Sequence, residues 1–200
     1  AALRTQAADR LVDAWDNELA TAATLLDQLR GTFCKALESV LRPLAEATLP
    51  RVAVRVDYRR GWPLEPPERD FAGWLRAGRD QDRQQGHTRQ GPHRADFAVR
   101  IAGRLPAEAL SRGQQKLLVI ALLLAQAELY RLHAGDACIL LVDDLPAELD
   151  PDNRSRVMQA LAALDSQLFV TAIEPGSLDL AAWPEARSFH LAGGEVREMI

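Results

Sequence analysis

The chain has 200 residues, an apolar fraction of 48% and a formal net charge of −4. That length can bury a sizeable core as one large or two small domains. No run reaches the roughly 18 uninterrupted apolar residues of a membrane span, and the first residues lack the basic-then-apolar order of a signal peptide, so the chain reads as cytosolic. Cys34 and Cys138 have no partner spacing and read as free, buried thiols.

In chain order, Leu11, Trp15, Leu19, Ala22, Leu26 and Leu29 recur at spacings of three and four, which predicts an amphipathic helix over residues 2–30 that stops at Gly31. Phe33, Leu37, Val40, Leu41 and Leu44 predict a second helix, kinked or ended by Pro43, and the two read as a helical hairpin. Val52, Val54 and Val56 alternate with Arg51, Arg55 and Asp57, the pattern of a half-exposed strand with a basic outer face, closed by a turn at 58–63. Glu65-Pro66-Pro67-Glu68 should begin a helix carrying Phe71, Trp74 and Leu75 on one side, and the wholly polar stretch 78–86 marks its solvated end. The boundary falls near Gln84, giving a helical arm domain at 1–83 and a second domain at 84–200.

Charge is uneven along the chain: −2 over residues 1–50, +5 over 51–104 and −7 over 105–200. The positive charge is nearly all arginine, with Lys35 and Lys116 the only lysines. A basic middle suits nucleic-acid phosphates, through Arg55 and Arg59 on the strand, or is a solvated face. Gly91-Pro92-His93-Arg94 leads into an alternating strand, Phe97 to Ile101. Pro92 holds Gly91 extended, so the segment should enter the strand without starting a helix, with His93 and Arg94 either facing phosphate or lying in a solvated loop.

The most informative stretch is Leu110 to Asp150. Ser111 stands three residues before Gln114, the spacing of a helix capping box, and Gly113 thins the first turn. The same helix start offers unpaired N–H groups to an anion, and the two readings are compatible. An apolar run from Leu117 to Leu124 has the length of a buried helix, and Ala137 to Val142 that of a buried strand. Asp143 and Asp144 end that strand, where open α/β sheets bind ligands, though both could instead cap the next turn. Asp150-Pro151 puts an N-cap acid before a helix-starting proline. Gln167 to Ile173 reads as another buried strand, and 188–199 as a hairpin turning at Gly193-Gly194.

Leu110-Ser111-Arg112-Gly113-Gln114 followed by Ile139-Leu140-Leu141-Val142-Asp143-Asp144-Leu145-Pro146-Ala147-Glu148-Leu149-Asp150 resembles the signature, Walker B strand and D-loop of the ABC-type ATPases. The arginine in the signature, the Asp-Asp pair and Gly91-Pro92-His93-Arg94-Ala95-Asp96 resemble the RecF family of bacterial DNA-repair ATPases. The resemblance implies an α/β fold, the C-terminal part of an ABC-type P-loop ATPase head preceded by a mainly helical arm with a short β element. It implies Asp144 as the catalytic carboxylate that orients or deprotonates the attacking water, Asp143 holding Mg²⁺ through water, and Ser111, Arg112, Gly113 and Gln114 touching ATP held by an opposite subunit. Glu148, Leu149 and Asp150 would be the D-loop coupling two sites. Many relatives carry a switch histidine after the next strand; here Thr171 or Glu174 stands in that region. Implied partners are double-stranded and gapped DNA, RecR, RecO, RecA and a second copy in an ATP-dependent homodimer, with no membrane. None of the twelve glycines precedes a lysine, so the chain lacks a P-loop and should not hold ATP in the ordinary way alone. Alternatives are a dimerising, DNA-binding module without turnover, or a transporter cassette, which the Asp-Asp pair and the arm disfavour.

Overall fold

The computed structural model describes residues 9–63, 65, 70–164, 166–174 and 176–199. It contains two compact units, residues 1–39 with 54–109 and residues 40–53 with 110–200. Gln84 lies in the last turn of a helix inside the first unit, and the chain passes to the second after Ala109. The strand after Gln84 stays with the first unit because it pairs along its whole length with the strand before it.

The expected helical hairpin is one helix, α1, running Asp9–Thr48. Gly31 does not stop it: a mid-helix glycine costs only about 1 kcal/mol, less than the neighbouring turns contribute by packing. Pro43 also lies within it. Its buried positions in the first unit are Val12, Ala23, Asp27, Cys34 and Leu37, whereas the expected apolar stripe faces out, with Trp15 58% and Leu29 60% exposed. Burial pushes the Cys34 thiol up, as suits an inert packing cysteine. Cys138 is only half-buried.

In the first unit, β1 (Val54–Arg59) and β2 (Asp96–Ile101) pair antiparallel, Val54 opposite Ile101 and Arg59 opposite Asp96. The Val56 N–H donates to Glu38 Oε2 of α1 at 2.8 Å. The helix expected from Glu65 is α2, Phe71–Gln85, capped by Asp70, whose Oδ1 accepts from the Gly73 N–H at 2.7 Å; Pro66, Pro67 and Glu68 lie outside the described residues. Phe71 and Leu75 bury against Ala23, and the Trp62 and Phe71 rings stack at 4.5 Å. Arg79, with a side chain 12% exposed, bonds Asp13 at 2.6 Å and Asp16 at 2.7 Å, and Arg83 bonds Asp9 at 2.6 Å, clasping α2 to α1. A short helix, α3 (Pro106–Ala109), ends the unit.

In the second unit, α4 (Arg112–Ala134) is the central helix. By length and composition alone it is apolar enough to cross a membrane. Here Leu117, Leu118, Ala121, Leu124, Ala125 and Leu129 are core residues, with Leu145, Leu149, Val157, Met158 and Leu161 of α5 (Leu145–Glu148), α6 (Pro151–Ala162) and the turn between them. The strands β3 (Ile139–Val142) and β4 (Gln167–Val170) pair in parallel, joined through α5 and α6, as a parallel pair requires. They are not the fully buried strands expected. Among the described residues this sheet has two strands, so Ile139, Leu141 and Phe169 stay exposed, Leu141 by 78%. Finally, β5 (Ser188–Ala192) and β6 (Glu195–Met199) form the expected hairpin, with Gly193 and Gly194 both at positive φ.

Candidate functional site

The parallel register of β3 and β4 sets Val142 opposite Val170, so the residues leaving the two strands emerge side by side. Thr171 N–H donates to the Val142 carbonyl at 2.9 Å, continuing the ladder by one bond. The Thr171 hydroxyl donates to Asp143 Oδ1 at 2.5 Å and accepts from the Asp144 N–H at 2.8 Å. One side chain thereby holds the Asp143 carboxylate and the Asp144 backbone. Asp144 sits in the left-handed region, φ 45° and ψ 45°, at the N-terminus of α5, but its carboxylate makes no capping bond. Asp144 Oδ1 is buried and has no partner among the described residues. A buried acceptor without a donor is costly, so it is suited to a group brought by a ligand.

Asp150, by contrast, is a plain cap: its Oδ1 accepts from the Asn153 N–H at 2.9 Å. That bond is the main cause holding the Asp150 carboxyl below its ordinary value. Glu148 forms an ion pair with Lys116 on α4, and Leu149 is buried. The segment 148–150 is therefore tied to the helix that begins after Ser111.

At the start of that helix the capping box is complete. Ser111 N–H donates to Gln114 Oε1 at 2.9 Å, and Gln114 N–H donates to Ser111 Oγ at 3.3 Å. The Ser111 hydroxyl proton remains available, since the cap uses the oxygen as acceptor. A Cβ placed on Gly113 would meet nothing within 4 Å, so nothing in the chain itself requires glycine there. Arg112 is exposed. Arg112, Lys116, Asp143 and Glu148 line one groove of about 830 Å³, floored by apolar residues of α4 and β3.

The other predicted contacts are placed differently. Pro92 to Arg94 form a 3₁₀ turn and do not run straight into β2, because the His93 ring bonds the Thr88 carbonyl at 3.0 Å and the Ala95 N–H returns to Pro92. Gly91 packs so closely that a Cβ would lie 3.1 Å from the Phe71 ring, and Arg30 bonds the Pro92 carbonyl at 2.6 Å. The segment's first task is thus to knit the first unit together. Arg94 is exposed. On the outer face of β1, Arg59 lies 4.0 Å from Asp96, and Asp57 takes Arg100 at 2.8 Å, so the expected basic face is partly neutralised; Arg55 has no acid partner among the described residues. Sequence reasoning named Thr171 only as a stand-in for a switch residue. Its role as a bracket needed the parallel register, and the one available signal was a polar β-branched residue ending a strand that follows an acid-ended strand.

The family model described as RecF/RecN/SMC N terminal domain matches residues 16–186. The DNA replication and repair protein RecF of Thioalkalivibrio sulfidiphilus is 40% identical over 197 residues, 98% of this chain and 54% of that protein. RecF of Shewanella loihica is 39% identical over 97% of the chain and 53% of its own length. The chain thus spans about half the length of these curated relatives. Among solved structures, the recombination mediator protein RecF with ATP superposes with a TM-score of 0.72 at 18% identity, over 96% of this chain and 51% of that one. A structure concerned with ATP-driven dimerisation of SMC ATPases superposes at 0.52, at 16% identity, over 86% and 88%. The fold is that of RecF and SMC ATPase heads, and with the family model spanning most of its residues, this chain belongs to the RecF/RecN/SMC N-terminal domain family.

Proposed function

We propose that this chain carries the signature, acid pair and D-loop of a cytoplasmic, RecF-type DNA-repair ATPase that dimerises around ATP, binds double-stranded and gapped DNA, and works with RecR and RecO to load RecA. The observation that carries the reading is the Thr171 bracket, which holds Asp143 and leaves Asp144 Oδ1 buried and unanswered.

The residues present fit Mg²⁺ and ATP. Among the described residues no three His, Cys, Asp or Glu side chains form a closed metal cage, and a lone carboxylate beside solvent suits an ion that keeps most of its waters. Asp143, with one oxygen taken by Thr171, presents the other to such a water. Asp144 Oδ1, which has no donor among the described residues, accepts a proton from the attacking water. Mg²⁺, when bound, neutralises charge on the β- and γ-phosphates. Ser111 donates its hydroxyl proton to the γ-phosphate held by the opposite copy, where the start of α4 adds partial positive charge. Gly113 leaves room for that approach. The phosphate grip itself comes from other polypeptide, since no glycine here precedes a lysine.

The test uses the intact protein. Asp144→Asn should keep nucleotide and trap the dimer, with hydrolysis lowered by roughly 10²–10⁴, as for a lost general base. Asp143→Asn should weaken Mg²⁺-dependent binding. Ser111→Arg should block the ATP-driven dimer seen by light scattering while equilibrium dialysis still records bound ATP. A Ser111→Arg protein that dimerises normally would make the serine a helix cap only and remove the sandwich dimer from this reading.

A further inference from the structure

Lys116 and Glu148 stand 32 residues apart and meet as an ion pair inside the second unit. Lys116 lies in the second turn of α4, the helix that Ser111 caps, and Glu148 is the last residue of α5. At the other end of α5 is its N-cap residue, Asp144, whose Oδ1 is the buried acceptor without a donor. Because α5 is only 4 residues long, a shift of its last residue reaches Asp144 with almost no length over which to relax.

Leu145 and Leu149, on either side of α5, are buried, and both line the groove that Ile120 and Leu124 of α4 also line. Apolar burial is non-directional, so by itself it holds α5 near α4 without fixing how α5 is turned. The ion pair supplies that direction, joining one named atom on each helix.

We propose that Lys116 is a positioning residue for the acid pair: its bond to Glu148 links the start of α4, where Ser111 meets the γ-phosphate held by the opposite copy, to the short turn that carries Asp144 of the same chain. Docking at Ser111 fixes the first turns of α4, Lys116 holds Glu148 to them, and α5 then presents Asp144 to the water at its own site. Lys116 touches neither nucleotide. The two side chains are 53% and 57% exposed, and an exposed pair supports a bias of about fivefold at most, so the latch tunes turnover without deciding whether the dimer forms. The inference rests on the sandwich-dimer reading above and adds to it a residue outside the motifs and the step that residue serves.

In the intact protein, light scattering follows the ATP-driven dimer, equilibrium dialysis the bound ATP, and phosphate release the turnover, expressed per dimer. Lys116→Met should lower turnover per dimer about threefold, with dimer, bound ATP and thermal midpoint at wild-type levels, and Lys116→Arg, which keeps the charge, should hold turnover near wild type. In a double-mutant cycle, Lys116→Met with Glu148→Gln should be no slower than the slower single variant, since each removes the same bond. Wild-type turnover in Lys116→Met, an equal loss in Lys116→Arg, or additive losses in the double variant overturns the latch while leaving the sandwich dimer standing. Loss of the dimer in Lys116→Met also overturns it, because the residue would then be a contact of the interface. A wild-type protein that does not dimerise with ATP overturns the sandwich reading and the latch together.

Discussion

Thr171 holds the acid pair at two points: its hydroxyl donates to the Asp143 carboxylate and accepts from the backbone N–H of Asp144. A hydroxyl that both donates and accepts cannot be replaced by a methyl of equal volume without leaving the Asp144 N–H unanswered. Thr171→Val should therefore lower the stability of this chain by about 1 kcal/mol in urea unfolding, with Thr171→Ser nearly neutral. In the intact protein the same pair should separate hydrolysis, lost in Val and kept in Ser. The residue scale is also where the sequence was most and least readable. The Ser111–Gln114 box and the Asp150–Pro151 start were legible because capping is a local matter of spacing. The bracket was not, because it joins residues 28 apart in the chain through a strand register that no local pattern encodes.

The longest misreading belongs to α1. Its stripe from Leu11 to Leu29 is real, but burial there follows a different face, through Val12, Ala23 and Asp27, whereas Leu37 and Leu41 of the second stripe are buried as expected. Periodicity reports that a face is apolar and is silent on what covers it. Leu25→Gln with Leu29→Gln should then change the chain's stability by no more than about 0.5 kcal/mol, against about 2–5 kcal/mol for Leu37→Ala at a site 1% exposed. The α1–α2 clasp carries its own signature with pH. The Arg83 guanidinium bonded to Asp9 holds that carboxyl below its ordinary 3.8, so its contribution is complete above that value and is lost as pH falls through the lower folded value. Thermal melts should show wild type and Arg83→Ala differing at pH 7 and converging below about pH 4. Asp9 is exposed, so the gap should be modest and should shrink with salt.

At the scale of the molecule, charge is less lopsided than along the chain. The first unit holds 15 basic against 14 acidic side chains, because the acids of α1 belong to the same unit as the arginines of 51–104. The surface proposed for phosphate therefore contracts to Arg55, Arg59 and Arg94. Arg55→Ala with Arg59→Ala should weaken binding to unrelated duplexes alike and flatten the slope of affinity against salt by up to about 2, one for each phosphate no longer neutralised. An unchanged slope would leave these arginines as a solvated face. With acid pair and signature but no P-loop, the pure chain should release phosphate from millimolar Mg²⁺ and ATP at the rate of an Asp144→Asn preparation; turnover clearly above it would count against the division of labour proposed. Fold class was legible because it rests on contiguous motifs. The exposed face of β3 and β4 was not, since an apolar strand looks the same whether or not its sheet continues.

The left-handed turn at Asp144 also bears on which sequences can descend from this one. Aspartate, asparagine and glycine tolerate that backbone, whereas longer side chains pay about 1–2 kcal/mol to adopt it. Asp144→Glu is then more than one added methylene: it strains the peptide at 144, and with it the N–H that Thr171 receives.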